Sequence, residues 1–467
     1  MAGRIGLAVR AEFPDTGSFM ANALRYVPFA ATLAAALHLT PVMADPGNLP
    51  RPVTDADYVP VDPDEARLGQ LLFYDPILSG NRNISCATCH HPKFGTSDGL
   101  SLGMGEGGIG LGPDRHVDPA NPPELRIPRN APALFNLGAR EFTRLFHDGR
   151  IEADPMRPSG LRTPLEDEMV TGFDSVLSAQ TMFPVLSPDE MAGHYQENEI
   201  AKAVRSGRIT GKGGAWDLIS ARVASIPAYA AMFARVYPDI GEGRPIAFTD
   251  ISNAIAAFMA LEWRSDDSAF DRYLRGQGDL PKAARRGMEL FYGRGGCATC
   301  HAGPFQTDHG FHAMGEPQLG PGKAERFERH SRDIGRMRVS NRPEDAYAFR
   351  TPSLRNVMHT GPWGHAGAWS DMRKFLAHHA DPAQGLGGYD RAQAVLPAMQ
   401  SEKDDWAILD DPAEVAAIEA AARPGVRLSQ AEIDDLIAFL DALSDETALK
   451  GRLGVPDSVP SGLPVER

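Results

Sequence analysis

The sequence predicts a mainly α-helical fold with long loops, built by duplication of one unit. Three observations predict it. Cys86-Ala-Thr-Cys89-His90 returns unchanged as Cys297-Ala-Thr-Cys300-His301. Each copy follows a segment with apolar residues at helical spacing, Glu65-Ala-Arg-Leu-Gly-Gln-Leu-Leu-Phe-Tyr74 and Ala284-Arg-Arg-Gly-Met-Glu-Leu-Phe-Tyr292. No run of alternating strands occurs anywhere in the chain.

The repeated motif carries chemistry. Cys-x-x-Cys-His is the attachment signature of a c-type haem: two thiols form thioethers to the porphyrin, and the adjacent His ligates the iron. A redox-active Cys-x-x-Cys or half a zinc site are the plainer readings, but neither needs a His directly after the second Cys. Cys86, Cys89 and His90, with Cys297, Cys300 and His301, therefore predict two covalent haems c, one in each of two cytochrome c-like domains. The four cysteines of the chain are all used this way, so no structural disulfide is expected. A haem with both axial positions filled passes electrons, whereas one with an open position binds a small ligand such as peroxide.

Taken in order, residues 1–44 read as a signal peptide. Val27–Leu39 is almost wholly apolar, Arg25 precedes it, and Val42-Met43-Ala44 is an acceptable cleavage site. The run falls short of the ~20 residues of a spanning helix. Met20 makes a better-shaped start than Met1, and an uncleaved anchor is the alternative. Residues 45–270 form the first haem domain, 271–450 the second and 451–467 a tail, with the boundary near 265–280. Residues 99–128, rich in Gly and Pro, predict a flexible loop, and 152–175 an inserted loop with a short helix. Helices are expected at Pro227–Tyr237, Thr249–Trp263 and Ser268–Arg275. The last helix, within Leu428–Leu443, starts at a Ser429–Glu432 capping box and carries a stripe of Ile433, Leu436, Ile437 and Leu440. The net charge of −14 argues against a nucleic-acid surface and suits a partner with a basic docking face. With no second long apolar stretch, the exported form is expected to be soluble in the periplasm, free of the membrane.

At this point a resemblance becomes specific. The order of Leu71-Leu-Phe-Tyr-Asp-Pro76, both Cys-x-x-Cys-His motifs, Pro128-Arg-Asn-Ala-Pro132, His147-Asp-Gly-Arg150, Ser268-Ala-Phe-Asp-Arg272 and Phe349-Arg-Thr-Pro-Ser-Leu-Arg-Asn356 resembles the bacterial di-haem cytochrome c peroxidase and MauG superfamily. The matching pieces cover about residues 60–445. The resemblance implies that Gln180, Pro184 and Glu190 line the open face of the His90 haem, with Glu190 as acid–base and Gln180 orienting it. Read from the residues alone, Glu190 would face solvent at a helix start. The second haem's sixth ligand falls at His379, where relatives place Met or Tyr. Its neighbour His378 points ~100° away on a helix. Met337, Met358 and Met372 are the alternative ligands. The resemblance also implies a structural Ca²⁺ held by Asn130 and by the Thr360 and Pro362 carbonyls.

Two departures from the family pattern bear on mechanism. Where some relatives have a blocking His after the first haem, this chain has Met104, with His116 as a second candidate, so an open iron is expected. His147 stands where the family usually has a Trp that relays electrons. The implied function is a periplasmic peroxidase reducing H2O2 to water. Electrons would enter at the His301 haem from a small c-type cytochrome or cupredoxin. The alternatives are a MauG-like oxidase of a partner protein's Tyr or Trp, and a non-enzymatic electron carrier with Met104 and His379 as sixth ligands. Relatives of this kind often form homodimers.

Overall fold

The computed structural model describes residues 49–323, 328–400 and 403–467; the expected export segment, 1–44, lies outside the described residues. Helix α1 (Pro63–Tyr74) starts where Asp62 accepts from the Asp64 and Glu65 amides at 2.7 and 3.3 Å, with Pro63 at its first position. The carboxylate satisfies amides that have no partner inside the helix, and a proline there loses none. Helix α2 (Phe248–Glu262) packs against α1. In the second half, α3 (Lys282–Phe291) leads to the second motif, α4 (Met372–Ala380) follows, and α5 (Gln430–Asp441) packs against α3. The Ser429–Glu432 capping box starts α5 as the sequence predicts, and Ile433, Leu436 and Leu440 of its stripe are buried.

Both helix pairs cross at a glycine. A Cβ on Gly69 would stand 1.7 Å from the Ala254 carbonyl oxygen and 2.9 Å from Phe258 Cβ. One on Gly287 would stand 1.9 Å from the Asp435 carbonyl oxygen and 2.9 Å from Phe439 Cβ. Aromatic rings close each crossing. Phe73, Phe258 and Trp263 have centroids 5.1–5.3 Å apart. In the second pair, Phe439 lies 5.1 Å from Phe270 and 5.2 Å from Phe291. A side chain at Gly287 must push α3 off α5, so G287A is expected to cost about 1–3 kcal/mol, the range for overpacking. The test is the urea midpoint at unchanged slope; a midpoint equal to wild type would refute the close crossing.

Strands are few and short. Gly108–Ile109 pairs with His116–Val117, Arg144–Leu145 with Ile151–Ala153 and then Leu161–Arg162, and Phe311–His312 with Phe349–Arg350, all antiparallel. The segment expected as an inserted loop is this central ladder followed by one helical turn at Glu166–Glu168.

The loop at 99–128 differs from expectation, because polar hubs tie it down. Buried Arg115 donates to the Met104, Gly105 and Gly110 carbonyls, and the Glu106 carboxylate accepts from Asn81, Asn83 and Asn121 at 3.0, 2.9 and 3.3 Å. A guanidinium has five donors in a fixed fork, and here the loop's own carbonyls use them.

The tail is also more than an appendage. Glu262, 1% exposed, accepts from the Arg452, Leu453 and Gly454 amides at 2.5–2.8 Å. Ala448 and Val459 then join the hydrophobic cluster of the first half, and Glu466 reaches Thr88 inside the first Cys-x-x-Cys-His turn. The described residues lie within one compact unit. Among them, no helix is long and apolar enough to cross a membrane.

Candidate functional site

Each Cys-x-x-Cys-His turn folds the same way. The His90 amide donates to the Cys86 carbonyl at 3.0 Å, and the His301 amide to the Cys297 carbonyl at 2.9 Å. His90 Nδ1 lies 3.0 Å from the Thr96 carbonyl and His301 Nδ1 3.1 Å from the Gln306 carbonyl. A carbonyl can only accept, so Nδ1 carries the proton in both rings and Nε2 keeps its lone pair for a metal. Burial lowers the pKa of both imidazoles, that of His301 to about 4 with His379 adding to the effect. No disulfide uses the four thiols. Neutral imidazole, paired thiols and fixed tautomer fit two covalently attached haems.

A cavity of about 440 Å³ opens beside Cys297, Cys300 and His301, and His379 lines it too. The His301 and His379 ring centroids are 6.2 Å apart. Two metal–nitrogen bonds of about 2 Å plus the near half of each ring add to about 6 Å, so the pair fits one iron. His379 Nδ1 lies 3.2 Å from Glu316 Oε1, and Trp369 Nε1 donates to Glu316 Oε2 at 2.9 Å. Burial works against a charge on Glu316, but the His379 hydrogen bond together with the charges of His379, His378 and His365 outweighs it and holds the carboxyl below its ordinary range. The carboxylate orients His379 and makes the ring a better donor.

The neighbours on α4 behave differently. His378 turns away, with Nε2 3.0 Å from the Gly315 carbonyl and its ring stacked on Trp369. Met358 and Met372 pack in or against the second hydrophobic cluster, and Met337 sits in the helical turn Met337–Ser340. None of these three lines the cavity, whereas Met314 does. Glu316 and Met314 escape a reading of the sequence because they belong to none of its motifs.

The residues assigned to calcium come together in the same cavity: Asn130, Thr360 and Pro362 all line it. The Asn130 amide nitrogen donates to the Leu100 carbonyl at 2.8 Å, which leaves Oδ1 for a cation. His147 is also there, its Nε2 3.0 Å from the Asn130 carbonyl. Burial, followed by the charge of Arg129, lowers its pKa to about 3, so it is a neutral imidazole.

The stretch around Glu190 is built from Val176–Thr181, which carries Gln180, then a turn at Pro184–Leu186, then a single π turn at Pro188–Ala192. In the last, the Ala192 amide reaches back to the Ser187 carbonyl at 2.9 Å. Such wide turns concentrate at functional sites, because they re-aim side chains that a regular helix would spread. A Cβ on Gly105 would stand 2.3 Å from the Asp189 carbonyl oxygen, so the Met104 loop lies directly on this turn. Met104 itself is buried and His116 is exposed.

The electrostatics of Glu190 come from remote parts of the chain. Burial raises its carboxyl pKa, and the charges of Lys323 and Arg150 oppose that rise. Lys323 in turn is lowered to about 8, first by burial and then by Arg150. Glu190 is close enough to Cys89 to add to the burial that raises this thiol. The hydrogen bond expected from Gln180 to Glu190 is absent among the described residues. Lys323 gives no signal in the sequence, because a lone lysine after Gly-Pro-Gly looks like a solvated turn.

Comparisons with known proteins agree with this geometry. The family model described as di-haem cytochrome c peroxidase matches residues 63–279. The methylamine utilization protein MauG of Methylorubrum extorquens is 28% identical over 406 residues, covering 86% of this chain and 83% of that protein. The cytochrome c551 peroxidase of Pseudomonas aeruginosa is 26% identical over 330 residues, covering 70% and 75%. The fold is shared with the diheme peroxidase of Burkholderia thailandensis at a TM-score of 0.51 and 23% identity, covering 89% of this chain and 94% of that one. Peroxidases and MauG proteins thus both align along most of the chain, which is similar to the di-haem cytochrome c peroxidase and MauG family of oxidoreductases.

Proposed function

We propose that the protein is a di-haem peroxidase that reduces H2O2 to water with electrons from a small c-type cytochrome or cupredoxin. The observation that carries this reading is the unlike surroundings of the two motifs. His301 is faced by His379 at ligand spacing, whereas Glu190, with a burial-raised pKa, stands near the His90 motif. Haems held by Cys86, Cys89 and His90 and by Cys297, Cys300 and His301 would supply the redox chemistry when bound. His379, oriented by Glu316, would fill the sixth position of the second, making it the electron-entry side. Glu190 would take the first proton of the peroxide and return it to the leaving oxygen. The positive charges of Arg150 and Lys323 favour its ionised form in a buried site.

Asn130, Thr360 and Pro362 would hold Ca²⁺ between the two halves, in line with hard oxygen donors. The recurrent glycine crossing supports reading 45–270 and 271–450 as copies of one haem c unit. Residues 1–44 support export to the periplasm.

A MauG-like oxidase of a partner protein is the second reading, favoured by the exposure of His116, which leaves the His90 side without a blocking imidazole. The test is EPR of the resting ferric protein and of H379A, with turnover of a reduced cytochrome c by peroxide. The peroxidase reading expects one high-spin and one low-spin signal, loss of the low-spin signal in H379A, and rapid turnover in wild type. Two low-spin signals that ignore peroxide would defeat both enzyme readings in this oxidation state. Slow turnover with a spectral change lasting minutes would favour the oxidase.

A further inference from the structure

Beside the π turn that carries Glu190 lies a second set of groups, which the peroxide chemistry does not use. One nitrogen of His194, a carboxylate oxygen of Asp189 and one of Glu124 lie within 4.8 Å of one another. His194 is 8% exposed, and its Nε2 is buried without a hydrogen-bond partner. A buried imidazole nitrogen left unpaired is costly unless something fills it. The opposite nitrogen, Nδ1, is 3.2 Å from Glu197 Oε1. Glu197 is itself fixed, because its Oε2 accepts from the His194 amide at 2.8 Å and from Asn81 at 2.6 Å. This carboxylate–imidazole pair sets the tautomer and aims Nε2, the arrangement found behind metal-bound histidines.

The backbone holds the cluster in place. The Gly80 amide donates to the Met191 carbonyl at 2.7 Å, and the Asn198 amide nitrogen donates to the Ala192 carbonyl at 2.9 Å. Gly193, between the turn and His194, has φ +86°, a conformation that leaves the imidazole free to fold back toward Asp189. Asp189 is short of positive charge: burial, then the neighbouring Glu124, pushes its pKa up to about 6, against partial help from His194 and Lys323. Glu124 is exposed, so the cluster is open to solvent on one side.

We propose that Glu124, Asp189 and His194 form a binding site for a divalent first-row transition-metal ion, represented by Zn²⁺. Two carboxylate oxygens and one imidazole nitrogen make a borderline donor set, and water from the open side completes it. An imidazole donor sets this site apart from the all-oxygen calcium assignment at Asn130. The ion would brace the π turn and so hold Glu190 in position. The metal proposal itself rests on the imidazole–carboxylate cluster and is independent of the peroxidase reading.

The experiment is calorimetric titration of the haem-loaded protein with ZnCl2 in saturating Ca²⁺. Wild type is expected to take up one equivalent, with a rise in melting temperature, because a ligand that binds only the folded state stabilises it. H194A is expected to lose this uptake and the thermal shift. E197Q, which only loosens the ring's orientation, is expected to bind about 10–100-fold more weakly. E124Q changes an exposed side chain and keeps the test valid should H194A fail to fold; it too must weaken binding. No uptake by wild type, or affinity unchanged in either E197Q or E124Q, would overturn the proposal.

Discussion

Replacing Glu190 by Gln is expected to slow peroxide turnover by about 10²–10⁴-fold, the range a positioned acid–base group contributes. Gln keeps the shape and removes the proton-accepting oxygen. Binding of the haems and the resting EPR spectrum should stay as in wild type, which separates lost chemistry from lost structure. The pH dependence gives a second readout. Glu190 must be ionised to take the first proton, and burial raises its pKa above the ordinary carboxyl value. The wild-type rate constant for peroxide should therefore fall as pH drops through that raised pKa, and this acidic limb should vanish in E190Q. A rate within a few-fold of wild type would remove Glu190 from the mechanism. The Gln180 amide, which makes no hydrogen bond to it, would then be the next residue to test.

The second large effect concerns stability. Arg355 and Asp271 pair with both side chains fully buried. They come from the two sequence stretches Ser268–Arg272 and Phe349–Asn356, and their union fastens the segment after α2 to the segment before α4. Burial disfavours the Asp271 charge, but Arg355 outweighs it and the carboxyl pKa ends below its ordinary value. R355M would leave that carboxylate buried without its counter-charge, held only by the Ser268 amide and hydroxyl, at an expected cost of about 3–5 kcal/mol. Chemical denaturation of the haem-loaded protein measures it. Because the folded pKa is depressed, the pair stabilises above the unfolded carboxyl pKa and loses its effect as pH falls through the folded one. The wild-type advantage over R355M should thus shrink in acid. The double variant R355M/D271N should recover part of the loss, since it removes the orphaned charge as well. A loss under about 1 kcal/mol for R355M would show that water reaches the site and screens the pair.

The same pairing logic explains why the scattered motifs occur together. Arg129 of Pro128–Pro132 donates to Asp148 of His147–Arg150 at 2.7 Å and to Asp333 at 2.7 and 2.8 Å. Asn356 donates to Ser265 at 3.0 Å and accepts from the Asp445 amide at 2.7 Å. Motifs far apart in sequence are each other's buried partners, so the resemblance could be read before their contacts were seen.

What could be read locally was read well. The sequence by itself determined the two Cys-x-x-Cys-His turns, the helices before them and the capped final helix. Each depends on residues within a turn or two of one another, where spacing and capping chemistry decide the outcome. The resemblance placed the sixth ligand of the second haem at His379, with Met337, Met358 and Met372 as the alternatives.

Only the tertiary structure shows His379 beside His301 and His378 turned away, because that depends on how α4 is rotated by Trp369 and Gly315. It alone supplied Glu316, 63 residues from His379. It also gathered Arg150 and Lys323 around Glu190, brought Glu466 back to Thr88, and left His194 with a buried nitrogen facing two carboxylates. The physical reason is common to all of these. A pKa, a ligand distance or an orphaned donor is set by every charge and dipole packed nearby, and packing assembles those from the whole chain.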